Sequence, residues 1–337
     1  MSRPYVTATS TNKLHLFLAE LDSRMKDFES LDGVLGITLN GGLSRGYADE
    51  LSEIDLVFYL ESSPYELWNS GQSPIPLGIT RIGSYLYDIK ISDLEEEQQR
   101  SWESVALWDL SYAKVLYDPT GQIAKMMSEK LAHTPEPLHA EGLLFNCWWY
   151  FRLAGDIWIH RGDPVQGHSM LNMAAIRLLE ALFIANHEYV PHEKWLVHMS
   201  RTLPWTPDCW ETRLKEMMST GDLSKDSLIV RQAIIEHLWR EVDSYIISKE
   251  CPGYNLNVMH KTFYDLLKFL LPKDSLPIKE WTDRMGLSML SREPFVRFTS
   301  VTKDQIIVDK HKLLSIQPEE LDSWFAALVE QIKEESE

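Results

Sequence analysis

Leu39–Tyr59, which reads LNGGLSRGYADELSEIDLVFY, joins two short apolar runs through a glycine pair and a polar loop. The first run, Val34–Leu39, ends just before Gly41 and Gly42, and the second run, Ile54–Leu60, follows the loop. Both runs have the length and composition of buried strands. Glycine tolerates a positive φ and has no Cβ, so this backbone can turn sharply and approach a phosphate closely.

Two acidic residues mark the start of the second run. Glu53 and Asp55 are two residues apart, and a strand places such residues on one face. Adjacent carboxylates repel each other unless a cation lies between them. The segment is compatible with a plain hairpin that carries solvated acids, but the glycine pair favours a site for a metal ion and a nucleotide.

The composition of the whole chain limits its partners. The 337 residues exceed one typical core, which favours two domains. The formal net charge of −17, from 50 acidic and 33 basic residues, opposes binding to an extended nucleic acid or to an anionic membrane surface. The three cysteines are scattered without metal-ligand spacing, which indicates a reducing compartment. The N-terminus has no signal-peptide pattern, so we predict a cytoplasmic protein.

Periodic apolar patterns extend the prediction on both sides of this segment. A first set covers helices over 14–28, 93–108 and 123–131 and strands over 78–82, 84–91 and 113–117. Asp88 falls inside one of these strands, where it is either a solvated residue of an edge strand or a third acid of the site.

A proline-rich stretch, Thr134–Pro137, marks a domain boundary. We therefore predict one domain over 1–133 and a second over 138–337. Aromatic and apolar residues at helical spacing predict long helices in the second domain, including one over 278–290. The runs 295–301 and 305–308 predict a small hairpin.

The order of these residues resembles the signature of the DNA polymerase β-like nucleotidyltransferase superfamily. That signature has Gly-Ser or Gly-Gly, a polar loop and then Ser-Asp-x-Asp-Leu before a strand. Here Ser52–Leu56, SEIDL, follows Gly41 and Gly42 in this way. The family pattern expects a third acid on a neighbouring strand, where Asp88 falls. The resemblance implies an α+β fold, with a polymerase β-like core of mixed sheet and flanking helices followed by a mainly α-helical domain.

The resemblance also implies a reaction, the transfer of a nucleotidyl group with pyrophosphate as the leaving group. Two Mg²⁺ ions held by Glu53, Asp55 and Asp88 would activate the attacking oxygen and neutralise the triphosphate of ATP or another nucleotide. Asp88 would be the general base or a ligand of the second ion. The nucleotide-binding residues implied are Gly41, Gly42, Ser44, Arg45, Ser52 and Lys194.

The second half is similar to the helical domain of aminoglycoside and lincosamide nucleotidyltransferases. Asn186–Leu196 resembles a segment of helical domains that are fused to bacterial nucleotidyltransferases. In that arrangement Lys194 would reach a nucleotide phosphate, although an exposed lysine in a first helical turn is the simpler explanation of this residue. Acids near Glu141 and Asp156 would face a cationic acceptor.

Three functions follow from the resemblance. The first is Mg²⁺-dependent transfer of AMP from ATP to a hydroxyl of a small molecule, such as an antibiotic. The second is AMP transfer to a protein partner, as in toxin–antitoxin pairs. The third is a weakened nucleotide-binding module, because Glu53 stands where the family has Asp and its oxygens are displaced by about one methylene.

Overall fold

The computed structural model describes residues 3–218 and 222–335, which form both helices and strands. The first five strands are β1 Val34–Leu39, β2 Ile54–Leu60, β3 Gly78–Ile82, β4 Tyr85–Asp93 and β5 Lys114–Tyr117. They form one mixed sheet in the order β3-β4-β2-β1-β5. β1 and β2 have the predicted bounds, since polar and glycine residues delimit both apolar runs.

The pairing of β2 with β4 brings two acids side by side. These strands are parallel, whereas the other neighbours in the sheet are antiparallel, and Asp55 lies opposite Asp88. On β4, Tyr87 and Ile89 are buried in the core, and the alternation of a strand puts Asp88 on the other face. β4 lies between β3 and β2, so the interpretation of Asp88 as an edge-strand residue is wrong.

Helices flank this sheet. Phe17, Leu21 and Phe28 lie on the first helix and pack into the core that Phe58 and Tyr87 of the sheet also line. The helices are α1 Leu14–Glu29, α2 Gly41–Ser44, α3 Ser62–Leu67, α4 Leu94–Gln99, α5 Ser104–Tyr112 and α6 Gln122–Lys130.

The single helix predicted over 93–108 is wrong, because the chain forms α4 and α5 with a break between them. The ammonium of Lys130 donates to the carbonyls of Gln98 (3.0 Å) and Arg100 (2.5 Å). Carbonyls at a helix C-terminus lack donors within the helix, and Lys130 supplies one to these two. After the break, α5 starts at Ser104.

Most of the chain after residue 137 is helical. Trp108 of α5 packs into the same apolar cluster as these helices, with the long helix Pro164–Ala185 at its centre. By length and composition this is the one described helix that could cross a membrane, and 61% of its apolar window is buried inside the structure. The helices are α7 Glu141–Trp148, α8 Gly155–Arg161, α9 Pro164–Ala185, α10 Glu193–Ser200, α11 Trp210–Met218, α12 Lys225–Glu250 and α13 Lys261–Leu270.

A second sheet near the C-terminus departs from the predicted run of helices. Strands β6 Ser275–Pro277, β7 Thr299–Val301 and β8 Gln305–Val308 pair in the order β6-β8-β7. The predicted hairpin is present between β7 and β8 and gains β6 as a third strand. Its first strand is shorter than the predicted run 295–301, because Phe295–Phe298 is helical. The helix predicted over 278–290 is wrong beyond its first turns. Trp281 is fully buried and donates from Nε1 to the carbonyl of Gly286 at 3.3 Å, which folds the chain back.

The remaining helices surround this second sheet. They are α14 Ile278–Thr282, α15 Phe295–Phe298, α16 Lys310–Ser315 and α17 Ser323–Glu334. They share with β6 and β8 an apolar cluster that includes Trp281 and Phe295. The chain is thus of mixed α and β structure, and the division into domains 1–133 and 138–337 stays a prediction.

Candidate active site

The two in-register acids lie next to the glycine turn. Gly41 opens α2 with φ +65°, and a methyl group placed on its Cα would lie 1.8 Å from Oδ2 of Asp55. The backbone amide of Asn40 donates to the carbonyl of Asp55 at 2.9 Å. Glycine adopts this conformation readily, and a residue with a Cβ would clash with the carboxylate, so the turn and the carboxylate of Asp55 form one compact unit.

A cavity of about 500 Å³ opens over this unit. Residues from the sheet, from α5 and from the start of α10 line it, so both halves of the chain contribute to its wall. Seven of the nine residues that the sequence assigned to the site line this cavity: Gly41, Gly42, Arg45, Glu53, Asp55, Asp88 and Lys194.

The other two, Ser44 and Ser52, are not among the lining residues. The hydroxyl of Ser44 is buried and donates to the carbonyl of Gly41 at 2.9 Å, within α2. The hydroxyl of Ser52 accepts from the backbone amide of Asp49 at 2.9 Å and helps to fold the loop. Both side chains support the shape of the segment from outside the cavity.

Burial and neighbouring acids raise the pKa of Asp55. Removal from water, followed by the nearby charge of Glu53, raises the pKa of Asp55 to about 7, and Lys90 opposes the shift. The carboxylates of Asp88 and Asp109 add to the increase in pKa. Placing negative charge on Asp55 therefore costs free energy that a bound cation would recover.

Lys90 was not predicted as a site residue. It lies two residues after Asp88 on the same face of β4, and its Nζ is 2.9 Å from Oδ2 of Asp88. The spacing Asp-x-Lys on a strand is a sequence signal that could have identified it.

Arg45 is held rigidly at the wall of the cavity. Its guanidinium carbon lies 4.7 Å from the ring centre of Trp108 and 4.9 Å from that of Trp195. Its Nη1 donates to Oδ1 of Asp109 at 2.8 Å, and its side chain is only 3% exposed. Stacking and the ion pair restrict Arg45 to one conformation, in which it borders the cavity. No local pattern in the sequence indicates that these distant residues meet.

The start of α10 forms the opposite wall. Nδ1 of His192 accepts from the backbone amide of Lys194 at 3.2 Å and so caps the helix. The ammonium of Lys194 lies 5.8 Å from the ring centre of Trp195 and lines the cavity. A positive charge on this wall faces a cavity that also contains acids.

The acids predicted to face a cationic acceptor lie elsewhere. Glu141 accepts a hydrogen bond from the hydroxyl of Thr262, and Oδ1 of Asp156 accepts from Gln232 at 2.6 Å. Neither lines the cavity, and their role toward a cationic acceptor stays a prediction. Glu103 and Asp109 of the α5 region are the acids that line the cavity besides the predicted carboxylates.

The carboxylates that line the cavity suit a hard cation, although they are not arranged around a common point as a ready-made metal site would be. Carboxylate oxygens are the ligands that Mg²⁺ prefers. Within residues 3–218 and 222–335, no three His, Cys, Asp or Glu side chains are arranged so that they could hold a metal ion together. The binding of two Mg²⁺ ions by Glu53, Asp55 and Asp88 therefore stays a prediction.

Comparisons with known proteins add little to this geometry. Residues 100–196 match a family described as a domain of unknown function, DUF4037. A nucleotidyltransferase-like protein from Exiguobacterium sibiricum has a similar structure, with a TM-score of 0.44 and 11% sequence identity. The match covers 87% of this chain and 99% of that protein. Among curated protein sequences, none matches this chain.

Proposed function

We propose that this protein is a nucleotidyltransferase of the polymerase β-like type, which moves a nucleoside monophosphate, with AMP from ATP as the first candidate, to a hydroxyl of a small molecule. The observation that carries the proposal is the register of Asp55 and Asp88 on adjacent parallel strands, with Gly41 packed against Asp55. A structural pair of surface acids would not need a glycine at φ +65° or a cavity above it.

The residues of the cavity divide between binding and chemistry. Gly41 and Gly42 let the backbone approach a phosphate, and Arg45 and Lys194 supply positive charge to the triphosphate. The rigid position of Arg45 reduces the entropy lost on binding. Mg²⁺ held by Glu53, Asp55 and Asp88 would supply charge neutralisation and activation of the attacking oxygen.

In the proposed reaction the hydroxyl oxygen of the acceptor forms a bond to the α-phosphorus of the nucleotide. The bond from that phosphorus to the bridging oxygen breaks, and pyrophosphate leaves with the bonding electrons. Asp88 is the general base that receives the hydroxyl proton, or a ligand that orients the attacking oxygen. The acceptor occupies the part of the cavity near Glu103, and aminoglycoside- and lincosamide-type antibiotics are candidates.

The test is transfer of radioactive label from α-labelled nucleotides in the presence of Mg²⁺ or Mn²⁺. Acceptors are aminoglycosides, lincosamides and, in a separate arm, the proteins of a cell lysate. We expect labelled acceptor with the wild type and with Asp22→Asn, an exposed acid on α1, and no label with Asp55→Asn or Asp88→Asn. Label on a protein band and on no small molecule would show a protein acceptor. If no acceptor is labelled in either arm, the proposal fails.

A second candidate is a nucleotide-binding module without turnover. Two observations favour it, the presence of Glu53 and the pairing of Asp88 with Lys90 instead of with a preformed group of metal ligands. Calorimetry with ATP and Mg²⁺ separates the two functions. Binding without turnover that is unchanged in Glu53→Asp would support the module, whereas label transfer by the wild type would exclude it.

A further inference from the structure

Lys90 has no role in the reaction described above, yet its ammonium contacts one of the three acids. Nζ of Lys90 is 2.9 Å from Oδ2 of Asp88, and both residues line the cavity. The side chain of Asp88 is only 15% exposed, whereas that of Lys90 is 64% exposed. The carboxylate is therefore held in place, and the lysine reaches it from the solvent side.

Three cationic side chains line the cavity in the described part of the chain, and they differ in freedom. Arg45 is stacked between Trp108 and Trp195 and paired with Asp109, and these contacts hold it in place. Lys194 belongs to the opposite wall, on α10. Lys90 has a flexible four-carbon stem that can rotate its ammonium into solvent without disturbing β4.

The acids next to Lys90 explain why a cation is needed there. Asp55 lies opposite Asp88 in the parallel pair, and Glu53 precedes Asp55 by two residues. Carboxylates at this separation repel each other, and the repulsion is strong where water is partly excluded. A positive charge at Asp88 reduces that repulsion in the protein without a bound metal.

We propose that Lys90 is a tethered counter-cation, which neutralises Asp88 in the metal-free protein and leaves Asp88 when a divalent cation binds. The inference rests on the proposed function, since it takes Asp88 as a metal ligand. It explains why the three acids are close together without forming a ready-made metal cluster among the described residues. Metal affinity in this protein is then set by competition between a lysine and the ion for one carboxylate.

The test measures Mn²⁺ binding to the full chain without nucleotide, from the electron paramagnetic resonance signal of the free ion. Lys90→Met removes the charge and keeps the length of the side chain, and Lys90→Arg keeps the charge. Lys125→Met is the control, because Lys125 lies on α6 and pairs with Glu129 at 3.9 Å outside the cavity. We expect Lys90→Met to bind Mn²⁺ about tenfold more tightly than the wild type. Lys125→Met and Lys90→Arg should bind like the wild type.

Thermal unfolding in EDTA provides a second readout. Without its counter-cation, Lys90→Met should unfold in EDTA at a lower temperature than Lys125→Met, and Mg²⁺ should remove this difference in unfolding temperature. Lys90→Gln repeats both measurements with a polar side chain, in case the methionine variant aggregates.

The outcomes separate this inference from the proposed function. Equal or weaker Mn²⁺ binding by Lys90→Met and Lys90→Gln overturns the counter-cation role, whether or not the protein transfers nucleotides. If the wild type and every Lys90 variant fail to bind Mn²⁺ at millimolar concentration, both the inference and the metal-dependent function fail. Tighter binding by Lys90→Met without label transfer by the wild type leaves the counter-cation role intact and removes the enzymatic one.

Discussion

Asp55→Asn should make the metal-free protein more stable, and by an amount that grows with pH. Burial and Glu53 raise the pKa of Asp55 from 3.8 to about 7 in the folded protein. Below pH 3.8 the carboxyl is protonated in both the folded and the unfolded chain, so it has no effect on their balance. Between pH 3.8 and 7 the folded chain binds the extra proton, and stability falls as pH rises. Above pH 7 the carboxylate is charged in both states, and the full loss of stability from burying its charge is present.

The size of the effect follows from the shift in pKa. A rise of about three units corresponds to about 4 kcal/mol, and about 2 kcal/mol of it develops between pH 5.5 and pH 8. Asparagine has nearly the same shape and no charge, so the variant lacks this dependence. We therefore expect the difference in unfolding free energy between variant and wild type to widen by about 2 kcal/mol over this interval.

Urea unfolding in EDTA at pH 5.5 and pH 8 measures this difference. Asp22→Asn removes a negative charge from the surface of α1 and serves as the control for the change in net charge. Saturating Mg²⁺ at pH 8 should stabilise the wild type and leave Asp55→Asn unaffected, which narrows the gap. If the difference in unfolding free energy between Asp55→Asn and the wild type is independent of pH, or if Asp22→Asn reproduces it, then Asp55 is not desolvated beside other acids.

Two further substitutions test the walls of the cavity. Gly41→Ala should lower the free energy of unfolding by about 2 kcal/mol more than Gly46→Ala, because both residues have positive φ but only a methyl group at Gly41 meets a carboxylate. Chemical unfolding measures both variants, and equal losses of stability would contradict the close packing of Gly41 against Asp55. Arg45→Lys should lower the free energy of unfolding by about 1–3 kcal/mol and raise the KM for the nucleotide, since lysine cannot stack between two indoles. Arg100→Lys is the control, because the side chain of Arg100 is 56% exposed, and it should change neither stability nor KM.

The strands of the sheet were the most predictable part of the fold. Val34–Leu39 and Ile54–Leu60 are continuous apolar runs, and the residues that bound them cannot continue a buried strand. The helix predicted over 93–108 failed for a reason that no local window contains. The chain breaks at Arg100, whose backbone is extended, and Lys130, some 30 residues later, donates to the carbonyls of Gln98 and Arg100 at this break.

The candidate site was predictable to the extent that its residues are local in sequence. The spacing between the glycine pair and the acids at positions 53 and 55 can be read directly from the sequence, and Asp88 was expected from a resemblance. The parallel pairing of β2 and β4, which puts Asp88 opposite Asp55, is a tertiary property. Lys90 was overlooked because a lysine alternating with apolar residues on a strand is ordinarily a solvated side chain.

The cavity also bears on the segment that matches a family of unknown function. Glu103 and Asp109 at one end of residues 100–196, and Lys194 and Trp195 at the other, all line the cavity that contains Asp55. Arg45, from the glycine loop, is stacked between Trp108 and Trp195 of this same segment. The boundary predicted at 134–137 divides the segment, so the acids and Trp108 lie on one side of it and the wall formed by the start of α10 lies on the other. Arg45 therefore links the glycine loop to both ends of this segment, and loss of its contacts should disturb both walls of the cavity.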